Sequence, residues 1–173
     1  GVIVPRKTVG EIRKLIDETG DDVEISLSEA KIKFAFDDAV LTSKLIDGTF
    51  PDYQRVIPVN NDKEMVVNRK ALTDAVDRVS AISSEKSRAV KLTINGAPLS
   101  LSASSPENGT AQEGVEITYG ADVIEIGFNS GYLLDIARQL DSETATFVLA
   151  DSASPTIIRG ANDTGTIYVL MPM

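Results

Sequence analysis

Three segments of the sequence share one spacing of apolar positions. They begin 63 and 61 residues apart and occupy residues 4–16, 67–79 and 128–140. Apolar residues recur in each at i, i+3 and i+7, which is the spacing of one stripe on an α-helix. Pro5, Asn68 and Asn129 precede the stripes and favour helix initiation or capping. The matching apolar positions are Val9, Leu72 and Leu133; Ile12, Ala75 and Ile136; and Ile16, Val79 and Leu140.

Each predicted helix is followed by residues that alternate between apolar and polar, as β-strands do. The predicted strands are 23–27, 31–36 and 39–44 after the first helix, 89–94, 99–103 and 114–119 after the second, and 144–149, 156–159 and 166–170 after the third. Short apolar stretches at 64–67 and 123–127 precede the second and third helices. The repeat therefore reads as one strand, one helix and three further strands.

A repeat of this kind predicts an α+β fold, with helices on one face and antiparallel sheets on the other. Two repeats make a domain of ordinary size. We therefore predict half of one domain in residues 1–58 and a complete domain in residues 59–173. Because half a domain leaves a sheet edge exposed, we expect the chain to be a fragment, or its missing half to lie outside this sequence.

Charge is distributed unevenly over these elements. The helical segments 5–16, 68–79 and 129–140 carry net charges of +3, +1 and 0. Because the whole chain carries −9, the residues outside these segments carry −13. Positive charge gathered on helices would suit loose, sequence-independent contact with a polyanion. For any single helix, ordinary solvation of its charged face is the favoured explanation. Only 5% of the residues are aromatic, which disfavours base stacking.

The composition argues against an enzyme. The chain has no His and no Cys, so the commonest general base and transition-metal ligand and all thiolate chemistry are missing. No Gly-rich phosphate loop, nucleophile elbow or metal-ligand spacing is present. We predict no catalytic residue, no metal and no cofactor. The best carboxylate pairs lie at predicted turns, where Asp is common for structural reasons, and are Asp21 with Asp22, Asp37 with Asp38, and Asp47 with Asp52.

Nothing in the sequence indicates export or membrane insertion. No apolar run reaches the roughly 18 residues of a membrane span, and the first residues lack the basic and apolar regions of a signal peptide. The absence of Cys fits a reducing compartment. We expect a cytoplasmic protein.

Four segments carry a family resemblance. Residues 44–58 read KLIDGTFPDYQRVIP, and on their own predict a turn and a rigid connector. The chain ends in YVLMPM, an apolar end that suggests burial or an adaptable binding surface. Together with VIVPRK at 2–7 and GFNSGYLLDI at 127–136, these segments resemble the beta subunit of bacterial DNA polymerase III, the sliding clamp family. The resemblance covers essentially the whole chain.

The resemblance implies a DNA-clamp fold, in which repeated domains form a homodimeric ring around duplex DNA and tether the polymerase. It also implies a groove for short linear motifs of polymerases and the clamp loader. The implied groove residues are Pro51, Arg55, Val56, Asn129, Tyr132, Ala153, Pro155, Val169, Leu170, Met171, Pro172 and Met173. The residues expected to face DNA are Arg6, Lys7, Arg13, Lys14, Arg69 and Lys70, and those expected near the dimer contact are Ile82, Glu107 and Glu113.

Two departures from the family pattern bear on function. Ser87 stands where some members carry a bulky aromatic at the groove rim, and the N-terminal part of the family's protomer has no counterpart here. We therefore expect that this chain does not close a ring. A scaffold of the same fold, which keeps the groove but does not bind DNA, is the alternative.

Overall fold

The chain forms two compact units, and in both of them each helix is followed by several strands, as the repeat predicts. The computed structural model describes residues 1–19, 22–36, 38–50, 52–83, 88–161, 163 and 165–173. Unit 1 comprises Gly1–Asp52 and unit 2 comprises Tyr53–Met173. None of the described helices has the length and apolar character that a bilayer crossing requires.

Unit 1 holds one repeat. Its elements are α1 (Arg6–Thr19), β1 (Glu24–Leu27), β2 (Lys31–Ala35) and β3 (Val40–Lys44). The strands form an antiparallel sheet in the order β1-β2-β3. An isolated bridge joins Ile3, before α1, to Ile46, after β3. Ile12 of α1 packs on a small buried cluster that consists of Ile32, Phe34 and Phe36.

Unit 2 holds two repeats. After a 3-10 turn at Tyr53–Arg55, its elements are β4 (Lys63–Asn68), α2 (Arg69–Ser80), β5 (Ala89–Ile94), β6 (Leu99–Ser105), β7 (Gly109–Val115), β8 (Ile117–Tyr119), β9 (Ile124–Asn129), α3 (Ser130–Gln139), β10 (Thr144–Leu149), β11 (Thr156–Gly160) and β12 (Tyr168–Leu170). The predicted α+β fold with strand–helix–three-strand repeats is confirmed. Asn68 and Asn129 cap α2 and α3, and their Oδ1 atoms accept from the backbone N–H groups of Ala71 and Gly131, each at 2.9 Å.

The two repeats of unit 2 exchange their leading strands. One sheet has the order β12-β11-β10-β4-β8, and the other has the order β7-β6-β5-β9. Thus β4 joins the strands that follow α3, and β9 joins the strands that follow α2. One apolar core lies between these sheets and the helices and includes Leu72, Val76, Phe128, Leu133 and Phe147. Each repeat therefore needs the other to complete its sheet.

The strand predicted at 114–119 was wrong in its bounds. The structure has two strands there, because β7 ends at Val115 and β8 begins at Ile117. The chain changes sheet between them, since β7 pairs with β6 and β8 pairs with β4. The alternation of apolar and polar residues continues from β7 into β8. This pattern therefore does not reveal that one strand ends and the next joins another sheet.

Candidate functional site

An apolar depression lies between α3 and the C-terminal segment. Its volume is about 500 Å³. Four predicted groove residues line it: Tyr132, Val169, Leu170 and Met171. Tyr132 and Met171 are exposed, whereas Leu170 is buried in β12. The depression therefore has a fixed apolar floor and adaptable side chains at its rim, a combination suited to apolar ligands.

Hydrogen bonds fix the two walls of this depression. On one side, the Asn129 cap orients the first turn of α3 and hence Tyr132. On the other, β12 pairs with β11 with Leu170 opposite Thr156. The backbone N–H of Met173 donates to the carbonyl of Gly127 in β9 at 2.9 Å. The C-terminal segment is thus held against β9 rather than frayed, and it presents Met171 at the surface.

Sequence reasoning missed four lining residues. They are Asp135, Ile136, Ile167 and Tyr168. Asp135 lies one helical turn beyond Tyr132, and Ile136 was expected only as part of the helical stripe. Tyr168 belongs to the YVLMPM segment that drew attention to this end of the chain. Asp135 and Ile136 could have been found from the sequence, because residues three and four positions after Tyr132 lie on the same side of a helix.

The remaining predicted groove residues do not line the depression. Val56 is exposed, and its N–H donates to the carbonyl of Tyr53 at 3.1 Å within the turn that contains Arg55. Ala153 and Pro155 lie in the loop between β10 and β11, while Pro172 and Met173 follow the lining residues. Pro51 and Ser87 lie outside the described residues, as do Asp21 and Asp37 of the carboxylate pairs.

Side-chain hydrogen bonds organise the loop that carries Ala153 and Pro155. The Asp151 carboxylate accepts from the N–H groups of Ala153 and Ser154 at 2.8 and 2.7 Å, and from the Ser154 hydroxyl. These bonds favour the ionised carboxylate and lower the pKa of Asp151. The side-chain amide of Asn61 donates to the Pro155 carbonyl at 2.9 Å. The loop is therefore held in one conformation.

The basic residues of α1 and α2 have different surroundings. Arg6, Lys7 and Arg13 of α1 are exposed, and so is Lys14, whose ammonium lies 3.2 Å from the Glu11 carboxylate. These side chains form the basic surface of α1.

In α2, the half-buried Arg69 makes structural contacts. Its Nε donates to the Ser142 carbonyl at 2.9 Å and its Nη1 donates to the Ala137 carbonyl at 3.3 Å. Arg69 thus joins the start of α2 to the end of α3, where carbonyls lack helical partners. Lys70 pairs with Asp74, whose pKa it lowers through their hydrogen bond. The structure therefore places the exposed, predicted DNA-facing residues mainly on α1.

The residues predicted near a dimer contact lie around the strand edge at β7. Asn108, beside Glu107, donates from its amide to the Ile82 carbonyl at 3.3 Å. Glu113 on β7 accepts two hydrogen bonds from Arg78 of α2, the Nε bond at 3.0 Å. The hydrogen bond lowers the pKa of Glu113. Because β7 is an edge strand of its sheet, this region can accept another strand.

Comparison with known families matches both units. The profile for the C-terminal domain of the DNA polymerase III beta subunit matches residues 54–173, and the profile for the central domain matches residues 1–52. The chain belongs to the DNA polymerase III beta subunit family. The division between the two profiles agrees with the division of the chain into its two compact units, between Asp52 and Tyr53.

Individual beta clamps agree with this membership. The beta sliding clamp of Caulobacter vibrioides is 47% identical over 173 residues, all of this chain and 46% of the relative. That of Pseudomonas aeruginosa is 39% identical over 172 residues, 99% of this chain and 47% of the relative. A crystal structure of the Bartonella birtlesii sliding clamp bound to griselimycin superposes with a TM-score of 0.95 at 53% identity, covering all of this chain and 47% of that one. The chain thus spans about half the length of these beta clamps.

Acidic side chains do not assemble into a metal site in the part of this beta-clamp chain that the structure describes. No group of three or more Asp or Glu side chains there has a spacing that could hold a metal ion.

Proposed function

We propose that this chain is part of a sliding clamp, a non-catalytic processivity factor that holds a replicative DNA polymerase on duplex DNA. Unit 2 would bind short linear motifs of polymerases and of the clamp loader. The observation that carries the proposal is the apolar depression beside Tyr132 and Met171, in a chain that matches beta clamps along its whole length. We further propose that the protein acts in the cytoplasm and needs no cofactor.

Peptide capture follows from the chemistry of the depression. Ile136 and Leu170 form an apolar floor, and Met171 can adjust its rotamers to the shape of a Leu or Phe side chain. Tyr132 offers a ring face for packing and a hydroxyl for a hydrogen bond. Because the Asp135 carboxylate at the rim would repel another carboxylate, the depression favours a peptide that has no acidic residue beside its apolar side chains. Burying apolar peptide side chains here would provide most of the affinity.

A peptide titration tests this proposal. A Leu- and Phe-rich clamp-binding peptide with a fluorescent label is titrated with the chain, and the dissociation constant is measured by anisotropy. Met171→Ala and Tyr132→Ala should each weaken binding by about tenfold or more, as for residues that dominate an interface. Val123→Ala, an exposed apolar residue of the same unit, serves as the matched control. Unchanged binding in both groove variants refutes the proposed groove.

DNA contact is proposed mainly for the basic surface of α1. Arg6, Lys7 and Arg13 would make sequence-independent phosphate contacts that are screened by salt. Because a ring retains DNA by enclosing it, these contacts need not be strong. The ring and the homodimer, with Ile82, Glu107 and Glu113 near the contact, are proposed for a longer protein of this family. The division of this chain after residue 58 into half of a middle domain and a C-terminal domain stays a prediction.

Duplex binding distinguishes a clamp from a scaffold of the same fold. Labelled duplex DNA should bind this chain weakly at low salt and lose affinity as salt rises. Arg6→Glu with Lys7→Glu should abolish that binding, whereas Arg159→Glu, in the sheet strand β11, should change it little. Tight, salt-resistant binding contradicts retention by enclosure. Equal effects of the two charge reversals would favour the scaffold alternative.

A further inference from the structure

A small closed void lies in the core of unit 2, between its two helices and the sheet that contains β10 and β11. Its volume is about 10 Å³, which leaves room for about one water molecule. The apolar side chains that line it include those of Leu72, Leu133, Ala145 and Phe147. Among the described residues of the lining, Arg69 alone is charged, and its Nε and Nη1 donate to backbone carbonyls. The void is therefore suited to apolar groups rather than to water.

This void and the apolar depression are two parts of one cleft between α3 and the sheet. Tyr168 of β12, which lines the depression, lies opposite Ile158 of β11, which lines the void. Ile158 in turn lies opposite Phe147 of β10, which also lines the void. Residues directly opposite each other share one face of a sheet. Because this row starts at the edge strand β12, the depression is the open end of the cleft and the void lies deeper.

Ile136 of α3 lies between the two parts of this cleft. Among the described residues, it alone lines both the depression and the void. On the same helix, Tyr132 and Asp135 line only the depression, whereas Leu133 and Ala137 line only the void. Ile136 is half-buried and packs on the apolar core. Its side chain therefore closes the depression on the inner side.

We propose that Ile136 determines which apolar side chains of a bound peptide the depression accepts, because it closes off the void behind it. The proposal rests on the function proposed above, the capture of a linear motif by the depression. With Ile136 in place, a Leu or Phe side chain reaches the Ile136 side chain and goes no further. The two-ring side chain of Trp needs more depth than this. Shortening Ile136 would add the space of its side chain to that of the void, since surrounding structure relaxes only partly around a deleted group.

Peptide affinities measured with the whole chain test this role of Ile136. At each apolar position of a labelled clamp-binding peptide, versions with Leu, Phe and Trp are compared by anisotropy. At one position, wild type should prefer Leu and Phe to Trp. Ile136→Ala should shift the ratio of the Trp and Leu dissociation constants by about tenfold in favour of Trp, as expected for a small change in the size of an apolar pocket. Ile136→Val, a milder change, should shift the ratio in the same direction by less.

Leu72→Ala is the matched control for the peptide measurements. Leu72 lines the void from α2 but does not line the depression. Its truncation therefore enlarges the same void while Ile136 stays in place, and the ratio of the Trp and Leu dissociation constants should not change. Circular dichroism verifies that the variants fold. A ratio that Ile136→Ala leaves unchanged at every position, or that Leu72→Ala shifts as much, overturns the proposal.

Thiol labelling tests the closure by Ile136 without a peptide. The chain has no native cysteine, and Ala145, which lines the void, is buried. Ala145→Cys should react with methyl methanethiosulfonate about tenfold faster when combined with Ile136→Ala than when combined with Leu72→Ala. In the first case the reagent enters through the depression, whereas in the second it must wait for local opening of the core.

The two measurements separate a failure of this inference from a failure of the proposed function. If none of the peptides binds to wild type, the proposed function fails, and the labelling rates still report whether Ile136 closes the void. If peptides bind but the two double variants are labelled at equal rates, the role of Ile136 is overturned while the proposed function stands. Faster labelling with Ile136→Ala together with the shift towards Trp supports both.

Discussion

Units 1 and 2 are built from the same repeat, yet only unit 2 completes a two-repeat core. In unit 2 the leading strands β4 and β9 cross to the other repeat, so β5 and β10 become interior strands. In unit 1 the buried cluster consists of Ile32, Phe34 and Phe36, with Ile12 of α1 packed on it, whereas Val9 and Ile16 of α1 remain exposed. Burial of the helical stripe therefore depends on a partner repeat and not on the repeat alone.

The largest expected difference between the units concerns core truncation. Phe147→Ala should lower the free energy of unfolding of unit 2 by about 3–5 kcal/mol, because it leaves a cavity in a closed core. Phe34→Ala should cost unit 1 less than about 3 kcal/mol, since water can reach a cavity beside the open β1 edge. Urea unfolding followed by hydrogen exchange with mass spectrometry measures each unit separately. Equal losses would contradict the contrast between closed and open cores.

A smaller difference should separate two neighbouring basic residues of α2. Arg69→Met removes a half-buried guanidinium from the carbonyls of Ser142 and Ala137 and should cost about 1–3 kcal/mol of unfolding free energy. Lys70→Met, the matched control, removes an exposed ion pair and should change stability by less than about 1 kcal/mol. Chemical denaturation measures both variants. A loss at Lys70 as large as that at Arg69 would show that Arg69 does not join the two repeats.

The smallest difference concerns the loops that join strands in the two units. Asp151 orders the β10–β11 loop with a charged acceptor, whereas the β1–β2 loop uses the Ser28 hydroxyl. Because the folded pKa of Asp151 is lowered, its stabilisation is present above the ordinary Asp pKa of about 4 and is lost as pH falls through the lowered value. The stability difference between wild type and Asp151→Asn should therefore shrink below about pH 4. Urea titrations at several pH values measure it, and Ser28→Ala should show no such dependence.

The sequence could predict the repeat but not how repeats join. The stripe of Leu72, Ala75 and Val79 marks a helix, and alternation marks the strands. Neither pattern predicts which sheet β9 joins, because strands pair with partners that are distant in the sequence. Arg69 was expected to face DNA, although its guanidinium donates to carbonyls of residues about 70 positions later. Local patterns contain no information on such partners.

The candidate site was predicted in part for the same reason. Tyr132 and Met171 came from the resemblance of two separate segments, and the structure brings them to one depression. Asp135 and Ile167 were missed because their role depends on how α3 lies against the C-terminal segment. Ala153 and Pro155 lie in the loop between β10 and β11, and their place in the groove stays a prediction.

The most direct test of the proposed function is to map the bound peptide by NMR. An unlabelled Leu- and Phe-rich clamp-binding peptide is added to the ¹⁵N-labelled chain, and amide chemical shifts are followed. We expect the largest changes at Tyr132, Ile136 and residues 169–171, with the amides of unit 1 unaffected. Changes concentrated on β7, or on α1, with none at Tyr132 and Met171, would contradict the proposed groove.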